Sequence, residues 1–417
     1  MCYPLALTPA VCTLKISTTP PTVYQQGDLM KYRRFGKTEI QIPVISSGGM
    51  RFQESWKGSD PVSQDSQDNL EACVHKAMDL GINHFETARG YGTSEQQLGR
   101  ILPKLPRQDI LVQTKVAPSS DVNNFTTEFE KSMGLLNLDY IDIFSFHGIN
   151  TPQLLEDSLK CMEIAQSWKK EGRIRSIGFS THGPTEILLK SIATEAFDHI
   201  NLHWYYIFQN NWPAIQAANA LDMGVFIISP NHKGGMLNDP SDKLRQLTAP
   251  LHPMVFNGLF CLARPEVSTL SCGVATPEDF DLHMETINKL NQAKEHIAPI
   301  LKRLEEAMVE ALGEKWANTW EEGLPDPAET PGELNIPWIL RLRNLALAFD
   351  MIEYGKMRYN LLGKANHWFA GNKADKTNGL DLSECLKNSP NAAEIPSLLR
   401  DADRLLQGPE QERLQKD

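Results

Sequence analysis

The sequence lacks an excess of basic charge: Lys and Arg number 41 against 52 Asp and Glu, a net charge of -11. Nucleic-acid binding draws much of its affinity from cations that displace counterions from phosphate, so the balance argues against a nucleic-acid partner. It argues equally against docking on an anionic membrane. No apolar run approaches the ~20 residues that a membrane-crossing helix needs. The seven cysteines (Cys2, Cys12, Cys73, Cys161, Cys261, Cys272 and Cys385) are odd in number and have no CxxC spacing. They are read as reduced, mostly buried thiols of a cytoplasmic protein. No Gly-x-Gly-x-x-Gly follows the first strand pattern, which removes a Rossmann nucleotide site. His203 and His232 lie near strand ends without a third ligand, so no metal is expected. Residues 1–29 lack the basic start and long apolar run of a signal peptide. Thr18, Thr19, Pro20 and Pro21 favour disorder there.

What is present is alternation. Short, near-continuous apolar runs occur at Ile42–Ser47, Ile82–Glu86, Ile110–Thr114, Tyr140–Phe146, Ile174–Ser180, His199–His203, Val225–Ser229 and Thr269–Val274. Such runs suit parallel strands covered on both sides. Amphipathic stretches of helical length separate them, among them Ser66–Leu80, Asn124–Gly134, Pro152–Gly172 and Pro184–Ala193. Eight strand–helix units point to an α/β fold of the (β/α)8 TIM-barrel kind. The pattern then changes. A long helix is expected from about Leu290 to Glu310, followed by an acidic, Pro-rich linker over 322–333 and helices at Pro337–Glu353 and Ile395–Gln407. Trp338, Tyr354, Tyr359, Trp368 and Phe369 are aromatics that need burial, so this part reads as a small, mainly helical domain.

Four ionisable groups follow successive strand patterns. Glu86 and Tyr91 come after the second, Lys115 after the third and His147 after the fourth. Parallel strands bring such positions to the same end of a barrel, where active sites are built. Among these groups Tyr91 is a candidate general acid, able to give a proton to an oxygen that gains charge. A nearby Lys115 ammonium is expected to lower the phenol's pKa, with Glu86 as its counter-charge. His147 can hydrogen-bond the substrate oxygen.

Glu86-Thr87-Ala88-Arg89-Gly90-Tyr91-Gly92, Thr114-Lys115, and Leu138-Asp139-Tyr140-Ile141-Asp142 leading to His147 resemble, in order and spacing, the motifs of the aldo/keto reductases. The resemblance covers roughly residues 31 to 297, with Glu86 standing where most of the family has Asp. Family-like sequence begins at Met30, so residues 1–29 are expected to be a disordered extension or a mis-assigned start. The domains are then 30–297, the barrel, and 298–417. The resemblance implies Tyr91, Lys115, Glu86 and His147 as catalytic residues and a small carbonyl compound as substrate. His147, where some relatives carry Glu, argues against carbon–carbon double-bond reduction.

For the cofactor, the resemblance implies Ser180 and Asn201 at the nicotinamide amide, with Thr181 where the family has Asn. Ser229, Gly234 and Gly235 fall in the loop that crosses the pyrophosphate, where glycines let backbone N–H groups approach phosphate. Ile228 replaces the aromatic that often stacks on nicotinamide, and Gly273 lies in the adenosine-phosphate segment. NADP is the expected cofactor. NAD remains an alternative, because Ala275, Thr276 and Pro277 stand where NADP-preferring members usually place a cation. The C-terminal pattern of Gly379, Leu382, Cys385, Ser389-Pro390 and Ile395-Pro396 resembles a ferredoxin-like module. Only Cys385 of its four thiolate ligands is present, so no iron–sulfur cluster is expected. The function expected is NAD(P)-dependent reduction of an aldehyde or ketone. The alternative is a cofactor-binding regulatory or interaction protein with little turnover.

Overall fold

Parallel strands of high apolar content pair here in sequence order. A computed structural model describes residues 30–364, 370–377 and 379–409 of the chain; the expected N-terminal extension, Trp368 and Phe369 lie outside them. A hairpin of β1 (Tyr32–Arg34) and β2 (Gln41–Pro43) comes first. Then β3 (Ile45–Gly48), β4 (His84–Glu86), β5 (Leu111–Val116), β6 (Ile141–Phe146), β7 (Ile174–Ser180), β8 (His199–Leu202), β9 (Gly224–Ile227) and β10 (Thr269–Gly273) form a closed parallel barrel, β10 pairing back onto β3. The expected strand Ile42–Ser47 is in fact two: β2 stops at Pro43, which has no N–H to donate to a ladder. The hairpin plugs the barrel floor, where Phe35, Ile40 and Ile42 pack with Ile143 and Phe226.

Around the barrel lie α1 (Gln64–Asp79), α2 (Ser94–Ile101), α3 (Val122–Leu136), α4 (Pro152–Lys170), α5 (Thr185–Ala193), α6 (Trp212–Ala220), α7 (Asp242–Thr248), α8 (Pro253–Leu262) and α9 (Phe280–Lys289). Local signals start and stop them. Thr151 caps α4 by accepting from Leu154 N at 3.2 Å, with Pro152 at the first helical position. The core between helices and strands is aromatic on one side, with Phe129 stacked on Trp168 at 3.8 Å.

Five further helices follow: α10 (Ala293–Leu312), α11 (Glu314–Thr319), α12 (Ile336–Phe349), α13 (Ile352–Tyr359) and α14 (Ile395–Leu406). The expected single helix Pro337–Glu353 breaks at Asp350, which adopts a left-handed φ of 54° and caps α12. A second apolar core joins α10, α12 and α14 to α7 and α8, so Leu244, Val255 and Leu259 share it with Ile300, Ile339 and Phe349. The C-terminal helices are thus packed against the segment that follows β9. Among the described residues, no helix is long and apolar enough to cross a membrane.

Candidate active site

The carboxyl ends of β4, β5 and β6 bring three of the four ionisable residues together directly. Glu86 is the last residue of β4, Lys115 lies in β5, and His147 follows β6. Tyr91 is swung in by the turn after β4. That turn requires Gly92, whose φ is +55° and where a Cβ would lie 1.9 Å from Ser55 O. Lys115 is 1% exposed and Glu86 3%. Lys115 Nζ is ion-paired with Glu86 Oε1 and donates to Thr87 O at 2.8 Å. Tyr91 Oη lies 3.4 Å from Lys115 Nζ and 3.4 Å from Glu86 Oε1. The His147 ring meets the Tyr91 ring edge-on, centroids 5.6 Å apart. The extra methylene of Glu86 has a place to go. Ser271 donates to Glu86 Oε2 at 3.2 Å, and Gly48 leaves room, since a Cβ there would sit 3.3 Å from the same oxygen.

The electrostatics differ from the sequence expectation in one respect. Burial first, and then the Glu86 carboxylate, push the Tyr91 phenol well above its ordinary range. Lys115 was expected to pull it down, but its charge is matched by Glu86, and what remains is desolvation. Tyr91 is therefore held protonated. Burial also pushes Lys115 down, while Glu86 and, more weakly, Glu95 hold it up. Glu95 was missed in the sequence because it sits on a helix start that reads as solvated. It is fully buried, accepts from Thr114 Oγ1 at 2.6 Å and pairs with Arg89 at 2.9 Å.

The expected cofactor residues line the next strand ends. His199, Asn201 and His203 alternate onto the inner face of β8 and its extension. Asn201 is fully buried, and neither its Oδ1 nor its Nδ2 has a hydrogen-bond partner. Unpaired buried amides are costly, and a group that both donates and accepts would satisfy this one. Ser180 lies opposite it in register, 2% exposed, accepting from Gly148 N at 3.0 Å. Thr181 turns away and donates to Ile149 O at 2.7 Å. Ser229 has a φ of 52° and Gly235 a φ of +130°, which opens the backbone of this loop. At Gly234 a Cβ would strike Pro230 O at 1.8 Å. The unpartnered amide of Asn201 and this glycine cradle fit a nicotinamide dinucleotide. Gly273 ends β10, and the stem of Arg51 crosses it, with Cδ 2.8 Å from where a Cβ would stand. Asp279 accepts from Ala275 N at 2.7 Å and caps the turn beyond. Sequence reasoning did not identify Arg51, which lies far from Gly273 along the chain.

The Aldo/keto reductase family model matches residues 44–298. The chain belongs to the aldo/keto reductase family. It is 31% identical over 156 residues to an L-galactose dehydrogenase of Arabidopsis thaliana, covering 34% of this chain and 49% of that protein. It is 25% identical over 171 residues to an L-glyceraldehyde 3-phosphate reductase of Escherichia coli, covering 37% and 46%. An NADH-specific methylglyoxal reductase of the same species is 27% identical over 174 residues, covering 36% and 51%. The chain spans about half the length of these curated relatives. Among solved structures, an aldo-keto reductase of Bacillus halodurans aligns with a TM-score of 0.52 at 22% identity, over 66% of this chain and 96% of that one. That likeness is one of fold. The aldo/keto reductase motifs quoted from the sequence all fall inside the matched segment.

Proposed function

We propose that this protein is a cytoplasmic NAD(P)H-dependent reductase of small aldehydes or ketones. The observation that carries the reading is the buried cluster of Lys115, Glu86 and Tyr91 at one barrel mouth, beside a buried amide, Asn201, without partners. Ser180 and Asn201 would hold the carboxamide, and Ser229, Gly234, Gly235 and Gly273 the phosphates and adenosine. When bound, the dihydronicotinamide supplies a hydride to the carbonyl carbon. Tyr91 gives its phenolic proton to the carbonyl oxygen as that oxygen gains charge. The phenolate left behind is stabilised by the Lys115 ammonium, which Glu86 keeps protonated. His147 orients the carbonyl oxygen at the edge of the Tyr91 ring. Relatives named for L-galactose, L-glyceraldehyde 3-phosphate and methylglyoxal support a small carbonyl compound or its alcohol as substrate.

NADP is the cofactor favoured by the resemblance. Arg51 supports it by lying across Gly273, beside the segment where the family's usual cation is missing. Arg51→Gln is expected to raise the KM for NADPH about tenfold, the loss of one charge-assisted hydrogen bond. The KM for NADH should stay within about twofold, since the 2′-phosphate is the group concerned. Equal effects on both cofactors, measured by steady-state kinetics, would remove Arg51 from this role and favour NAD.

Asn201 gives a second test. Asn201→Leu removes a buried amide that has no partner, so urea unfolding should show stability kept or raised. Cofactor affinity, read by quenching of tryptophan fluorescence, should fall about tenfold with the lost hydrogen bonds. Lower stability with unchanged cofactor binding would make Asn201 a structural residue. The residual C-terminal region is proposed to be a degenerate ferredoxin-like module kept for packing, and Cys385 there is half-buried with its Sγ on Leu382 O.

A further inference from the structure

We propose that Glu95 is a positioning residue for the reduction: with Arg89 it staples the turn that carries Tyr91 and so sets the phenol against Lys115. This rests on the reductase reading above and adds to it what holds the proton donor in place. Tyr91 stands between Gly90 and Gly92, and Gly92 has a φ of +55°. Glycine on both sides leaves this stretch of backbone open to many conformations. The hydroxyl does little to fix itself, since its contacts to Lys115 Nζ and Glu86 Oε1 are both 3.4 Å long. Inside the turn, Tyr91 N donates to Ala88 O at 2.9 Å and Ser94 N to Tyr91 O at 3.0 Å. The placement of the ring beside Lys115 therefore depends on how the two ends of the turn are tied to the barrel.

Glu95 ties both ends. Arg89 precedes Tyr91 and Glu95 follows it, and Arg89 Nη1 donates to Glu95 Oε2 at 2.9 Å, closing segment 89–95 into a loop. The other oxygen, Glu95 Oε1, accepts from Thr114 Oγ1 at 2.6 Å. Thr114 immediately precedes Lys115 on β5, so the two side chains leave opposite faces of the strand. The backbone completes the ring: Arg89 N donates to Lys115 O at 2.9 Å, and Thr87 N to Gln113 O at 2.8 Å. One carboxylate thus joins the start of the turn, its end on α2 and the strand that bears Lys115. Thr87 Oγ and Ser94 Oγ, 2.8 Å apart, add a second tie across the same turn.

The arrangement is built around a charge. Glu95 is fully buried, and a buried carboxylate is costly unless it is paired and hydrogen-bonded. Burial pushes its pKa up, and the Thr114 hydrogen bond and Arg89 hold it down. The start of α2 favours the same negative charge. Arg89 is itself fixed from the other side, its Nε donating to Glu128 Oε2 on α3 at 3.1 Å. The turn is therefore clamped between α2, α3 and β5 by one buried ion pair.

The test measures kcat and KM with NADPH and an aldehyde the parent reduces, in the full-length parent, Glu95→Gln, Arg89→Gln and Arg89→Lys. Glu95→Gln keeps an oxygen for Thr114 but sets an amide N–H against Arg89, which opens the staple. A misplacement of about 1 Å costs on the order of a hundredfold in rate, so kcat should fall about tenfold to a hundredfold in both Gln variants. The KM for NADPH should stay within about twofold, because the proposed nucleotide contacts lie elsewhere on the barrel. Arg89→Lys keeps the charge without the planar fork and should recover part of kcat. A ring fluorine on Tyr91, read by fluorine NMR, reports the placement without turnover. In the parent its resonance should be displaced from that of the urea-unfolded chain, and in both Gln variants it should move toward the unfolded position. Arg89 is partly exposed, so its variants are expected to fold even where Glu95→Gln does not. Variants that lose urea stability but keep the parent's kcat and fluorine shift would make Glu95 a structural residue and overturn the proposal. An Arg89→Lys protein no better than Arg89→Gln would also contradict it, since the charge would then be irrelevant. If the parent reduces no aldehyde, the reductase reading fails, and the fluorine resonance alone decides whether Glu95 places Tyr91.

Discussion

Tyr91→Phe is expected to lower the rate of carbonyl reduction by about three orders of magnitude, the usual worth of a positioned proton donor. Cofactor affinity should stay within about twofold, because the proposed nucleotide contacts lie on β7, β8, β10 and the loop after β9. The variant removes only the hydroxyl that stands 3.4 Å from Lys115 Nζ. The ring, its edge-on contact with His147 and the turn at Gly92 remain. Folding stability should hardly change, since the two contacts made by the hydroxyl are long ones. The measurement is single-turnover oxidation of bound NADPH by an aldehyde the parent reduces, with cofactor binding in parallel. A variant as fast as the parent would remove Tyr91 from the chemistry.

Glu86→Ala is expected to damage both stability and rate. Removing one partner of a buried ion pair strands the other, at a cost of about 3–5 kcal/mol. Lys115 would lose the carboxylate that opposes its desolvation, so its pKa, already below the ordinary lysine value, would fall further. The sign follows. A lysine whose folded pKa lies below its unfolded one binds fewer protons when folded, so stability rises with pH between the two values. The deficit of Glu86→Ala should therefore be full at neutral pH and shrink as pH climbs toward the ordinary lysine range. The basic limb of the kcat/KM profile should move to lower pH, because Lys115 would deprotonate sooner. Glu86→Asp should be tolerated and should raise activity, keeping the charge with the reach common in the family. A Glu86→Ala protein matching the parent in urea stability, rate and pH profile would make Glu86 a packing residue.

The barrel was legible because several of its strands are near-continuous apolar runs, and the grouping of the candidate residues was legible because parallel strand ends share a common rim. What escaped the sequence depended on long-range placement. The β1–β2 hairpin is built from two strands of 3 residues each, too short to leave a period. The break at Asp350 lies inside an unbroken helical pattern, since Leu345, Ala348, Phe349 and Met351 are all buried on the same core. Glu95 reads as a solvated helix residue until Thr114 and Arg89 are seen around it. The direction of the Tyr91 shift turned on a balance between Lys115, Glu86 and burial that spacing does not encode. Tyr354 docks α13 on the loop after β9 through Lys233 O, a contact across 121 positions of sequence.

The central claim is that the Tyr91–Lys115–Glu86 cluster reduces carbonyls. It is tested most directly by incubating the purified protein with NADPH or NADH and a panel of small aldehydes and ketones, then quantifying the alcohol formed. The account predicts alcohol equal in amount to the nicotinamide oxidised, over many turnovers, for at least one aldehyde. Tight cofactor binding with no alcohol from any member of the panel would contradict it.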